Sequence, residues 1–182
     1  MLTVILIGGE SRRMGRDKAM LPVGNDKTMA MTLAERYAAL GPVCFSVNEH
    51  GRFFTDGYEQ LIDRYPGQGP LNGIISAFTD REEDLIFLTA TDMPDGDADA
   101  VRYLLENIGS HDACMYEDEP LFALYRRSCL APALQCIEEG RRSLHAMLRQ
   151  VDALYLPKGD QTLFTNLNTP EEYRLFIDRR KQ

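Results

Sequence analysis

Asp84 to Thr89, DLIFLT, is apolar almost from end to end. A strand with one wet face alternates, whereas one that is apolar on both sides must be covered on both, as central strands of parallel sheets are. Around this run, strand and helix patterns take turns. Val4 to Ile7 is an apolar strand that breaks at Gly8-Gly9. Thr28 to Leu40 places Met29, Leu33, Tyr37 and Leu40 on one helical face, and Gly41-Pro42 stops it. Val43 to Asn48 reads as a second strand and Gln60 to Asp63 as a short third. Pro70 to Asp80 is helical through Leu71, Ile74, Ile75 and Phe78, with Pro70 at its first position. Asp97 to Ile108 is a further helix, its opening aspartates suited to the positive helix end. Asp112 to Tyr116 and Pro120 to Tyr125 read as strands, Ser128 to Glu139 and Ser143 to Gln150 as helices. Ala153 to Leu156 and Leu163 to Leu167 are strand candidates, and Thr169-Pro170-Glu171-Glu172 opens a last helix with a capping box. Such alternation implies a mostly parallel sheet with helices on both faces, and the length suits a single domain over residues 1–182.

In sheets of this kind ligands sit beyond the carboxyl ends of the strands. Those ends carry Gly8-Gly9, Asn48, Asp63 and Asp92, with Asn166 and Asn168 near the last strand candidate. The stretch from Leu2 to Pro22 then packs Arg12, Arg13, Arg16 and Lys18 behind its glycines, against only Glu10 and Asp17. Glycines let a backbone approach closely and cations neutralise oxygens, which is a way to hold phosphate. The spacing is neither that of a P-loop nor that of a dinucleotide fingerprint. A net charge of −8 argues against nucleic acid as partner. Screening confines charge to about 8 Å, so the local basic excess governs a small anion bound there. No run approaches the roughly 18 apolar residues of a membrane span, and no basic leader precedes the first strand. Cys44, Cys114, Cys129 and Cys136 form no C-x-x-C pair and read as reduced thiols, so a cytoplasmic location is expected. His50, His111 and His145 have no ligand spacing.

Leu6 to Pro22, LIGGESRRMGRDKAMLP, resembles the signature L-x-G-G-x-S-x-R-M-G-x-D-K-x-x-L of the molybdenum cofactor guanylyltransferases. Tyr65-Pro-Gly with Gly69-Pro-Leu-x-Gly73, Thr91-Asp-Met-Pro94 and Asn166 to Glu172 extend the similarity over nearly the whole chain. The resemblance implies a three-layer Rossmann-like α/β fold of the nucleotide-diphospho-sugar transferase type. It implies transfer of GMP from Mg-GTP to the terminal phosphate of molybdopterin, with release of pyrophosphate and Mg²⁺ as cofactor. GTP and molybdopterin are then the substrates, molybdoenzyme maturation proteins are transient contacts, and a monomer is expected.

By the same resemblance Leu6, Ile7, Gly8, Gly9, Lys18, Asn48, Asp63 and Asp92 form the GTP site. Lys18, a compact charge on a long stem, suits the α- and β-phosphates; the bland reading is a solvated lysine. Arg13 is its partner, with donors for a phosphate oxygen or the leaving pyrophosphate. Asp92 follows the most buried strand and suits Mg²⁺, which takes one or two carboxylates plus substrate phosphates; the alternative is a turn residue before Pro94. Asp63 and Asn48 face the nucleoside, since a carboxylate offers two acceptors for guanine N1–H and N2–H. Gly8, where related cytidylyltransferases tend to carry Ala, leaves room for a purine. Ile7 departs from the family's usual Ala, and a side chain facing the base there would narrow the pocket. Asn166 and Asn168, two apart, present their amides to one side and would orient the acceptor phosphate or complete the metal shell through water. Asn168 could instead serve the turn before Thr169. Arg141, next to Arg142, would hold the acceptor's phosphate or lie solvated at a helix start. Two rival functions remain: a nucleotidyltransferase of the same fold with another base or acceptor (cytidylyl or sugar-phosphate), and a non-catalytic carrier of molybdopterin or GTP.

Overall fold

The computed structural model describes residues 1–7, 17–24, 27–49 and 57–180. Gly8, Gly9, Arg12, Arg13 and Arg16 lie outside the described residues. The chain runs β1 (Leu2–Leu6), α1 (Met29–Tyr37), β2 (Val43–Val47), β3 (Glu59–Ile62), α2 (Leu71–Asp80) and β4 (Leu85–Ala90). It continues through α3 (Ala98–Asn107), β5 (Ala113–Tyr116), β6 (Ala123–Arg126), α4 (Leu130–Glu138), α5 (Leu144–Leu148), β7 (Ala153–Leu156) and α6 (Pro170–Arg179). The strands form a seven-stranded sheet in the order β3-β2-β1-β4-β6-β5-β7. β6 pairs antiparallel with β4 and β5, and every other pairing is parallel. The sheet is therefore mostly parallel, as the all-apolar run predicts.

Strand alternation divides the core between two faces. Leu2, Val4, Cys44, Leu61, Ile86 and Leu88 join the residues of α2, α4 and α5. Ile5, Phe45, Val47, Phe87 and Leu124 join those of α1 and α3. Ile86 to Thr89 in β4 are wholly buried, so this strand is covered on both faces. Each large apolar side chain so enclosed contributes about 1.5–3 kcal/mol. α6 closes a smaller cluster in which Phe176 meets Met29 and Leu167.

Three expectations shift. Leu163 to Leu167 is no strand. The Asp160 carboxylate accepts the Thr162 N–H at 2.9 Å and starts a 3-10 turn over Gln161–Phe164. Phe164 is thereby packed against Tyr116 and Phe122, and the chain beyond crosses the end of β4, where Leu167 N–H donates to the Asp92 carbonyl at 2.8 Å. Burial of Phe164 and Leu167, three apart, wins over alternation. Pro70 is the N-cap of α2 rather than its first residue. β6 starts only at Ala123, because Phe122 N–H closes a turn onto the Glu119 carbonyl at 2.9 Å.

Candidate active site

The connections reverse direction at β1: β2 and β3 lie to one side of it, β4 and the rest to the other. Ligands of open α/β sheets occupy that switch point. Asp63, Asn48, Ile7 and the Thr91-Asp92 pair follow the ends of the four adjacent strands β3, β2, β1 and β4. At about 4.8 Å per strand they span about 14 Å, room for a nucleotide laid across the edge.

Lys18 opens a 3-10 turn over Lys18–Met20, capped by Asp17, whose carboxylate accepts the Ala19 N–H at 3.1 Å. Ala19 is fully buried and fixes the turn against the α1 face. From there Lys18 Nζ donates to Asn168 Oδ1 at 2.9 Å. Its charge also acts on Asp92. Burial pushes the Asp92 carboxyl above the ordinary carboxylate range, and the Lys18 ammonium partly opposes this. Asp92 Oδ1 is buried and has no hydrogen-bond partner among the described residues. A buried carboxylate oxygen left without a donor suits a cation. No cluster of three or more His, Cys, Asp or Glu exists among the described residues; a lone carboxylate such as Asp92 suits Mg²⁺, which takes one or two carboxylates and completes its shell with phosphates.

The loop carrying Asp92 is clamped. Arg36 of α1 donates to the Pro94 carbonyl at 2.6 Å and to that of Gly96, which also accepts the Tyr37 hydroxyl at 2.9 Å. Arg179 of α6 pairs with Asp95 at 3.0 Å. Asp97 and Asp99 serve α3, Asp97 as N-cap. Arg36 gives no sign of its role in the sequence, where it reads as the polar side of a helix.

At the other end of the edge, Ser46 donates to Asp63 Oδ1 at 2.6 Å. Burial raises the Asp63 carboxyl above its ordinary range, while the Ser46 hydroxyl and the Asn72 amide favour the charged form. The loop after Asp63 is tied to α2: Arg64 N–H donates to Ser76 Oγ at 3.1 Å and Tyr65 N–H to Asn72 Oδ1 at 3.0 Å. Asn72 and Ser76 are fully buried polar residues four apart on an otherwise apolar helix face, the one sequence signal that could have singled them out. Asn48, half-buried, follows β2 beside Asp63. Ile7 is 3% exposed and packs in the α1-side core, with its N–H on the Ser46 carbonyl at 3.2 Å. Its side chain is core, so the bulk that replaces the family's Ala lies inside the protein. Leu6 lends its carbonyl to Thr91 N–H at 3.4 Å, joining β1 to the Asp92 loop.

Asn166 and Asn168 are exposed on either side of buried Leu167. Asn168 joins Lys18; Asn166 lies beside it in sequence. Arg141 pairs with Glu139, and its Nε is buried without a partner among the described residues. The Arg141-Arg142 segment borders the loop before α2: a Cβ added at Gly69, whose φ is +75°, would stand 3.1 Å from the Arg142 carbonyl. Among the described residues nothing joins Arg141 to Lys18, Asp92 or Asn168.

The model of the MobA-like NTP transferase domain matches residues 3–154, which hold the whole sheet as far as β7 together with Lys18 and Asp92. The chain belongs to the MobA-like NTP transferase family. It is thus a nucleotidyltransferase. A probable molybdenum cofactor guanylyltransferase of Carboxydothermus hydrogenoformans is 36% identical over 97% of this chain and 95% of its own length. The molybdenum cofactor guanylyltransferase of Syntrophotalea carbinolica is 30% identical over 93% of this chain and 87% of its own. In fold, the transferase superposes with a TM-score of 0.83 on the molybdopterin-guanine dinucleotide biosynthesis protein A of Archaeoglobus fulgidus, at 23% identity over 100% and 99% of the two chains. A cytidylyltransferase of Thermus thermophilus, for 2-C-methyl-D-erythritol 4-phosphate, shares the fold at a TM-score of 0.72 and 13% identity, over 99% and 98% of the chains.

Proposed function

We propose that this transferase moves GMP from GTP to the terminal phosphate of molybdopterin and releases pyrophosphate. The observation that carries the reading is the buried Asp92 Oδ1, without a donor among the described residues, at the switch point and joined to Lys18 through Leu167 and Asn168, in a chain whose relatives bear the guanylyltransferase name. The acceptor phosphate oxygen attacks the α-phosphorus in line, the α–β anhydride bond breaks, and a new anhydride forms. Lys18 stabilises charge on the α- and β-oxygens, and Arg13 supplies further donors to the same oxygens. Asp92 Oδ1 would hold Mg²⁺, which would supply positive charge to neutralise the phosphates. Asp63, oriented by Ser46 and beside Asn48, accepts the N1–H and N2–H of guanine. Leu6, Ile7, Gly8 and Gly9 contribute backbone, while Asn166, Asn168 and Arg141 meet the acceptor. The transferase works as a cytoplasmic monomer; among the described residues no helix is long and apolar enough to cross a membrane.

Pyrophosphate release from each of the four NTPs, with and without purified molybdopterin, tests this. GTP with molybdopterin is the expected pair. Preference for CTP or a sugar phosphate would replace it with the same chemistry on other substrates, and stoichiometric binding without pyrophosphate would leave a carrier. Lys18→Ala and Asp92→Ala are each expected to lose about a hundredfold or more in turnover while folding normally, the scale of a lost transition-state donor. Full turnover in either variant removes that residue from the mechanism.

A further inference from the structure

We propose that Glu172 is a positioning residue: acting through Asn168, it holds Lys18 at the place where the phosphates react. The inference rests on the reading of Lys18 given above. A capping box ordinarily sends the N3 carboxylate to one N–H, that of the N-cap. Here a single oxygen, Glu172 Oε2, accepts two, from Thr169 at 2.9 Å and from Asn168 at 2.6 Å. Glu172 N–H in turn donates to Thr169 Oγ1 at 3.2 Å. The backbone on either side of the Asn168 peptide is therefore fixed, by Leu167 N–H on the Asp92 carbonyl and by Asn168 N–H on Glu172. From this fixed backbone Asn168 Oδ1 accepts Lys18 Nζ at 2.9 Å across 150 residues of chain.

A second tie joins the same two segments. The Tyr173 hydroxyl donates to the Pro22 carbonyl, four residues beyond Lys18, and Phe176 and Leu167 pack on Met29 with Val23 against them. A lysine stem has several rotatable bonds and samples many rotamers when free. An ammonium that must meet an α-phosphate gains from being restrained beforehand, and an error of about 1 Å costs on the order of a hundredfold in rate. Glu172 thus acts on the lysine through Asn168, next to Leu167, whose N–H meets the Asp92 carbonyl.

Two readouts on the full-length chain decide it. The first needs no substrate: the rate of Lys18 acylation by an amine reagent, read by mass spectrometry with exposed Lys27 as reference. Glu172→Ala is expected to raise that rate about fivefold, as restraint on a rotamer-rich side chain is lifted. Glu172→Gln, which keeps an acceptor oxygen, and Thr169→Ala, which removes only the acceptor of Glu172 N–H, are expected to stay within about twofold. The second is pyrophosphate release. Glu172→Ala is expected to lose about tenfold in kcat with the KM for GTP little changed, the signature of an interaction realised in the transition state. Glu172→Gln should restore most of the loss. Thr169→Ala should lower the unfolding midpoint as Glu172→Ala does, with kcat kept. Unchanged Lys18 acylation in Glu172→Ala, or kcat falling alike in Glu172→Ala and Thr169→Ala, overturns the proposal. If Glu172→Ala does not fold, Glu172→Asp, with the carboxylate drawn back by one methylene, takes its place. Faster acylation in a chain that releases no pyrophosphate from any NTP would uphold the positioning and overturn the guanylyl-transfer reading instead.

Discussion

Asp92 carries a cost that the proposed cation would offset. Its Oδ1 is buried without a donor, and burial favours its neutral form. A raised folded-state pKa means that the folded chain binds this proton more readily than the unfolded one. The penalty is therefore present at neutral pH and relieved as pH falls through the raised pKa toward the unfolded value. Asp92→Asn removes the charge at every pH. In EDTA at pH 7.5 it is expected to gain about 1 kcal/mol, or about 2–4 °C in Tm by calorimetry, while turnover collapses. The same shift, a property of the metal-free chain, places the acid limb of kcat/KM at limiting magnesium above the ordinary carboxylate range, and magnesium, which competes with the proton, is expected to move that limb down. Asp63, raised likewise by burial, adds to that limb through KM for GTP. Ser46→Ala frees Asp63 to turn. About tenfold less discrimination of GTP from ITP, which lacks the 2-amino group, is expected from kcat/KM for the two nucleotides.

At the scale of elements, the loop from Asp92 to Asp97 is shaped by close approach. A Cβ on Gly96 would stand 2.5 Å from Phe122 Cε2 and 3.1 Å from the Tyr37 hydroxyl, both in the core. Gly96→Ala is expected to cost about 1–3 kcal/mol of stability in urea unfolding, as overpacking does, and to depress turnover by loosening the carbonyls that Arg36 and Tyr37 hold. Elements were legible where a pattern ran long. The stripe Leu71, Ile74, Ile75, Phe78 announces α2, and Thr169 to Glu172 is seen whole as a capping box. The places of Asn48, Asp63 and Asp92 beyond strand ends followed from knowing where strands stop. What stayed hidden is set by partners far along the chain. Arg36 meets carbonyls 58 and 60 residues away, and nothing local distinguishes it from a solvated arginine. Asn72 and Ser76 look like helix-face residues until the loop after β3 is seen bonded to them. Leu163 to Leu167 has strand composition, but the aromatic cluster of Tyr116 and Phe122 draws Phe164 in and the segment bends over β4.

For the molecule as a whole, the four strand ends from β3 to β4 lie along one edge of the sheet, so a nucleotide bound there, as proposed, links ligand and fold. Mg-GTP at about 100 times its Kd is expected to add about 2.7 kcal/mol, or about 5–10 °C in Tm, by binding only the folded state. Asp92→Asn should lose the part of that rise that depends on magnesium, read by differential scanning fluorimetry with and without EDTA. The mostly parallel order makes many contacts non-local: β1 pairs with β4, Leu2 opposite Ile86. Such pairings close late. The bond between Lys18 and Asn168 spans farther still, 150 residues. Translation delivers the chain from its N-terminus at about 5–20 residues per second, and domains fold as their pieces become available. All seven strands have been made once Leu156 has been added, yet Asn168 and Glu172 have not. Every strand, the aspartate and the lysine thus come earlier in the chain than the asparagine that the lysine meets and the glutamate that holds that asparagine's backbone N–H. The proposed restraint on Lys18 is therefore the last part of the candidate site to be synthesised.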